Sequence, residues 1–259
     1  MHKLVIAAAL SFSAIITNAQ EIKIPTEAQL FVINGFEPLD YITGDLNGDK
    51  KADAILILKQ PGEDTFDMDA AAPRPLILLL RQADGKLKQV IRNDKAIMCR
   101  QCGGVFGDPY AGTKIAANSF TLSFYGGSNW RWENDYRFVY KSIKKNWYLV
   151  KESQANYHTS DPEHSKNVII EQSELGEVPM EKFDNNYVYE ESQWKVKSGK
   201  AFFYDNPKLG SQPRKGYLVK GNVVSSIREL TNFIEVSFID SKEKITTGFI
   251  LRKDLEKLK

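Results

Sequence analysis

Residues 75–92 read PLILLLRQADGKLKQVIR. Two segments that read as strands, the leucine-rich Pro75–Gln82 and the mixed Leu87–Arg92, flank Asp84-Gly85. A short Asp-Gly joint between such segments is a hairpin signal. Working outward, Ala54–Lys59 reads as another strand. Thr113–Ala117 and Phe120–Tyr125 suggest a second hairpin around Asn118-Ser119. Tyr136–Ser142 and Trp147–Glu152 suggest a third, joined by Ile143–Asn146. Helical periodicity is scarce: Thr26–Ile33 reads as one short helix and Lys253–Leu258 as a terminal turn. The expected fold class is all-β, built from antiparallel sheets.

The chain has 259 residues, enough for one large domain or two smaller ones. Its 35 basic and 33 acidic side chains leave a net charge of +2, which gives no basic field for nucleic acid. Two cysteines are too few for a disulfide scaffold or a four-cysteine zinc site. The opening residues, MHKLVIAAALSFSAIITNAQ, run from a basic start through an apolar stretch, Leu4–Ile16, to small residues before Gln20. That order is the pattern of a secretory signal peptide over residues 1–19, with cleavage after Ala19. The apolar stretch falls short of the ~20 residues that span a bilayer, and no later segment reaches that length. The expected location is periplasmic or secreted.

Residues 20–152 are expected to form an N-terminal β domain. The composition changes after Glu152: Ser153–Lys166 is polar and reads as a loop. Within a connecting segment, 153–193, Asn167–Glu171 and Tyr187–Glu191 are weak strand candidates. From Trp194 the pattern tightens again, with five short strands over 194–259.

Residues 44–58 read GDLNGDKKADAILIL. Asp45, Asn47, Asp49 and Asp53 occupy relative positions 1, 3, 5 and 9, and the main-chain carbonyl of Lys51 falls at position 7. Alternate oxygens on a tight loop suit a hard cation such as calcium, which takes six to eight oxygen ligands. An EF-hand is excluded, because position 12 is Leu56 rather than glutamate and position 6 is Lys50 rather than glycine. The loop resembles the calcium-binding turn of FG-GAP and VCBS-type β repeats. That resemblance implies a structural Ca2+ held by Asp45, Asn47, Asp49, Lys51 and Asp53. Lys50 stands where the family has glycine, and must take a left-handed conformation or change the loop's shape. A solvated Asp/Asn-rich turn is the alternative reading.

Cys99 and Cys102 form a C-x-x-C. In an exported chain the default is a disulfide. A redox site would need a helix N-terminus in a βαβ setting, whereas Gly103-Gly104 follows here. His158 and His164 flank two acids in HTSDPEH, a spacing that is not standard for zinc. After the cysteines, GGVFGDPYAG and FYGGSNWRW combine glycines with Tyr125, Trp130 and Trp132. Core aromatics beside glycine turns are the commoner case. A platform for sugar rings or a partner peptide is the functional alternative. Taken in order, the clusters from GDLNGD to WRW resemble a group of exported bacterial proteins, a resemblance that brings no activity with it.

Residues 194–259 carry a Gly-Tyr-Leu-Val strand at 216–219, an alternating strand at Phe233–Phe238 and a closing Gly248-Phe249-Ile250. They resemble a bacterial SH3-like (SH3b) domain, with Phe249 in place of the usual tryptophan. The resemblance implies a small barrel used as a binding module.

No G-x-S-x-G, H-E-x-x-H or cysteine–histidine arrangement with a recognisable context is present. The expected function is therefore a non-enzymatic binding or adaptor protein of the cell envelope, with a wall component or envelope protein as partner. A cell-wall hydrolase, or a periplasmic protector against a toxin or hydrolase, is the alternative.

Overall fold

The computed structural model describes residues 22–65, 72–185 and 192–258. The leader read in residues 1–19 and the strand candidate Tyr187–Glu191 lie outside these residues. The chain is all-β, with three larger antiparallel sheets and one two-stranded ribbon.

The first sheet is a meander of β1 (Glu37–Gly44), β2 (Asp53–Lys59), β3 (Arg74–Arg81) and β4 (Leu87–Ile97). Its central strands are apolar at successive residues, so both faces need cover. Ile55, Ile57, Leu76 and Leu78 face one core. Ala54, Leu56, Leu58, Ile77 and Leu79 face another, covered by Phe31, Val32, Ile33 and Phe36. The helix expected over Thr26–Ile33 is a single turn, α1 (Thr26–Gln29). Its Ala28 is buried, and the cover itself comes from residues on either side of the turn. The Asp84-Gly85 hairpin forms as read, with Gly85 at φ 80° and the Gln82 N–H donating to the Lys86 carbonyl at 2.8 Å.

The second sheet is also a meander: β5 (Tyr110–Ala116), β6 (Ser119–Gly127), β7 (Trp130–Lys141), β8 (Asn146–His158) and β9 (Asp161–Glu171). Alternation along β6 sends Phe120, Leu122 and Phe124 into the core shared with the first sheet. Tyr136, Phe138, Trp147 and Leu149 join them from β7 and β8.

Residues 153–166 are not a loop. β8 continues to His158, and β9 returns from Asp161 around Thr159-Ser160. The polar composition misled because residues 161–167 of β9 are exposed throughout. Main-chain pairing to β8 holds them extended without a buried face. After β9 come α2 (Gln172–Leu175) and a 3-10 turn at Met180–Lys182. Asn93 on β4 holds that turn, donating from Nδ2 to the Met180 and Phe183 carbonyls at 2.6 and 2.7 Å.

The third sheet takes β10 (Gln193–Val196), β13 (Val223–Glu229), β14 (Phe233–Ile239), β15 (Ile245–Leu251) and β16 (Leu255–Lys257) in the order β15-β14-β13-β10-β16. The ribbon pairs β11 (Lys200–Phe202) with β12 (Tyr217–Val219). The terminal turn read over Lys253–Leu258 is instead a 3-10 turn at Arg252–Asp254 followed by β16, which pairs with β10. A three-residue strand is too short to show periodicity, so its partner decides it. Trp194, Val196, Phe203, Val224, Ile234, Val236 and Ile250 form this sheet's own core.

The second and third sheets meet through a buried cluster of Val168 and Ile170 with Leu230, Phe233 and Phe249. An ion pair crosses beside it: Arg228 donates from Nη1 and Nη2 to the two Glu152 oxygens, both at 2.6 Å. Glu174 adds a second tie, accepting from the Asn232 main-chain N–H and side-chain Nδ2, both at 2.8 Å. Removing one partner of a buried, bidentate pair leaves an uncompensated charge. Arg228→Met should therefore lose about 3–5 kcal/mol in urea unfolding. The double variant Glu152→Gln/Arg228→Met should recover part of that. A single-variant loss below about 1 kcal/mol would place the pair among solvated surface bridges instead.

Candidate functional site

The acidic loop joins β1 to β2. Oxygens of Asp45, Asp49 and Asp53 lie within 4.8 Å of one another. Each carboxylate is also engaged by the main chain. Asp45 accepts from the Gly48 N–H at 2.6 Å and the Lys50 N–H at 2.9 Å. Asp53 is fully buried and accepts from the N–H groups of Leu46 at 3.0 Å and Arg81 at 2.9 Å. Burial pushes the Asp53 carboxyl up, and these two N–H bonds pull against that shift. Asp49 is exposed and accepts from the Lys51 ammonium at 3.1 Å. Slight desolvation raises its carboxyl, but the Lys51 main-chain and side-chain bonds outweigh it and hold the group below its ordinary value.

The other two residues of the expected ligand set are less directly disposed. Asn47 Oδ1 accepts from the Asp49 N–H at 3.0 Å, and the Lys51 carbonyl accepts from the Asp53 N–H at 3.1 Å. The donor set thus offers three convergent carboxylates, with an ammonium already on the most exposed one. Lys50 does take the left-handed conformation, at φ 64°.

The loop is tied to the core at Leu46, a buried residue between two of the acids. Its carbonyl accepts from Trp147 Nε1 at 2.8 Å. Gly48 is required by its φ of 85°, and a Cβ there would also have to displace the Asn118 side chain, whose Oδ1 would stand 2.0 Å away.

Cys99 and Cys102 are at disulfide distance, with Cα atoms 5.2 Å apart. Their loop is organised by Arg74, whose side chain is fully buried. Arg74 makes a fork to both Glu63 oxygens and another to Asp108, with Nη1 and Nη2 at 2.8 and 2.7 Å from the Asp108 oxygens. Nη1 also donates to the Met98 carbonyl at 3.2 Å. Desolvation works against the guanidinium charge, and Asp108 and Glu63 more than reverse it, so Arg74 is held more firmly protonated than a free arginine. Gln101 Nε2 reaches the Glu63 carbonyl at 2.6 Å, and Arg100 Nε reaches Asp64 at 2.7 Å.

The aromatic stretch divides. Trp132 is half-buried against the first core, and its ring occupies the space above Gly126, where a Cβ would lie 2.5 Å from Cζ2. Trp130 is 66% exposed and meets His158 edge to face at 5.1 Å. Tyr125 is half-buried, 3.3 Å from the Tyr157 hydroxyl and edge-on to Phe106 at 5.5 Å. The Arg131 guanidinium lies 3.8 Å from the Phe106 ring centre.

The sequence reading placed His158 in a polar loop rather than on β8, and missed Phe106, Arg131 and Tyr157 around these aromatics and the Arg74–Glu63–Asp108 cluster. The only local signal for the latter was a charged residue directly before the apolar run at 75–80. In comparisons with known proteins, no family model, no curated protein and no solved structure matches this chain.

Arg74→Met removes the charge that lets Glu63 stay buried. It should cost about 3–5 kcal/mol in thermal or urea unfolding, and weaken amide-exchange protection in the 98–109 loop. Restoring neutrality with Glu63→Gln/Arg74→Met/Asp108→Asn should recover part of the loss.

Proposed function

We propose that this chain is an exported, non-enzymatic binding or adaptor protein of the bacterial cell envelope. The observation that carries the reading is the exposure of Trp130, an indole two-thirds open to solvent at the start of a strand that Tyr136 and Phe138 anchor in the core. An apolar side chain of that size on a rigid strand is the type of group that anchors a sugar ring or a peptide. A second open aromatic, half-exposed Phe106, packs on Tyr125 and Arg131, on the face of β7 opposite to Trp130. The leader-like residues 1–19 support export.

The test is retention of the full mature chain on purified peptidoglycan. Wild type should be retained, and Trp130→Ala should bind about 10-fold or more weakly. No retention of wild type would remove the wall-binding reading.

The same reading places a structural calcium ion in the 45–53 loop. Its support is the convergence of Asp45, Asp49 and Asp53. A ligand that binds only the folded state raises its stability. Calcium should therefore raise the melting temperature of wild type and leave Asp45→Ala/Asp49→Ala unchanged. Identical wild-type curves in calcium and in chelator would eliminate the ion.

A further inference from the structure

A cleft of about 660 Å³ opens beside the third sheet and shares no residue with the Trp130 surface. Its inner wall is aromatic. Trp194 is almost fully buried, and its ring is pinned by a bond from Nε1 to Ser192 Oγ at 2.9 Å. Tyr204 stands edge-on to Phe233 at 5.4 Å. At the entrance, Leu209 is 59% exposed.

The rim is cationic. Arg252 and Lys257 lie 5.5 and 5.6 Å from the Trp194 ring centre. Glu229 holds both, accepting from Arg252 at 3.3 Å and Lys257 at 2.8 Å. Partial burial pushes the Glu229 carboxyl up, yet the bonds and charges of Lys257 and Arg252 keep it below its ordinary value. Lys197 and Lys253 also line the cleft, are exposed, and make no ion pair among the described residues. Glu229 thus offsets part of the Arg252 and Lys257 charge, and among the described residues that line the cleft Glu256 is the one acid.

An aromatic wall with unpaired ammonium groups at its edge is complementary to a chain carrying both apolar and carboxylate side chains. We infer that this cleft binds an extended acidic peptide, with an apolar side chain seated against Tyr204 and Leu209 and carboxylates paired with Lys197 and Lys253. Such a site adds a specific partner class to the binding-protein reading and rests on that reading. It uses residues that the peptidoglycan test does not touch.

The experiment is fluorescence anisotropy on the full mature chain with a labelled Gly-Glu-Glu-Phe-Glu-Glu-Gly probe. The Gln-for-Glu analogue and an oligogalacturonate serve as competitors. The acidic peptide should bind, and weaken about 10-fold or more as salt rises from about 50 to about 500 mM. The Gln analogue should be about 10-fold weaker. Lys197→Gln/Lys253→Gln should lower affinity by about 10-fold while melting like wild type, and Trp130→Ala should leave it unchanged. Absence of binding at millimolar peptide overturns the inference, as does equal affinity for the Gln analogue or for the lysine variant. Tighter binding of oligogalacturonate would overturn it in favour of an acidic glycan. Peptide binding lost in Trp130→Ala but kept in the lysine variant would remove this cleft and leave the binding-protein reading standing. Intact peptide binding with no peptidoglycan retention would remove the wall as partner and leave the cleft.

Discussion

β2 and β3 are apolar on both faces, and the layer order of the first two sheets follows from that. Residues such as Ile55, Leu56, Ile57, Leu76, Ile77 and Leu78 are all fully buried. Each is worth about 1.5–3 kcal/mol when removed from water, so leaving either face open would forfeit several such contributions. The second sheet covers one face and residues 24–36 cover the other. Residues that look peripheral in the chain, such as Phe31 and Phe36, are therefore part of a core.

Buried charge is the second organising element. Arg74 sits at the start of β3, where the apolar run begins, and gathers Glu63, Asp108 and the Met98 carbonyl. One guanidinium thus ties together the β2–β3 and β4–β5 connections. It also holds the short cysteine loop on both sides, at Met98 and Asp108, around the pair Cys99 and Cys102 at disulfide distance. Between the second and third sheets, Glu152 and Arg228 play the corresponding part. Breaking such pairs is expensive, while replacing them whole is much less so. Their contribution here is to set the geometry of loops and of the sheet–sheet contact.

The acidic loop combines both themes. Its carboxylates satisfy main-chain N–H groups that a tight turn would otherwise leave unpaired. Leu46 and Trp147 anchor it to the core, so the three acids converge on a rigid support. A loop of this kind has a structural task with or without an ion, which is why the decisive measurement compares calcium with chelator. The exposed Trp130 and the cationic cleft lie on other elements, each on a strand or turn held by a packed core.

The amino-acid pattern by itself determined the strands with strong periodicity. The Asp84-Gly85 hairpin, the β5–β6 pair and the apolar β2 and β3 were legible because turn chemistry and side-chain alternation are local properties. For Lys50 the resemblance left two outcomes, a left-handed conformation or a changed loop, and the structure takes the first. Tertiary structure alone decided the rest. The polar half of β9 is a strand because β8 supplies its hydrogen bonds, and β16 because β10 does. Trp130 and Trp132 are one residue apart from adjacency, with the same composition around them, yet one faces solvent and one packs above Gly126. Whether Arg74, Glu63 and Asp108 meet depends on how the β2–β3 and β4–β5 connections close on the start of β3, and burial of a charge is a relation between distant residues that no local window contains.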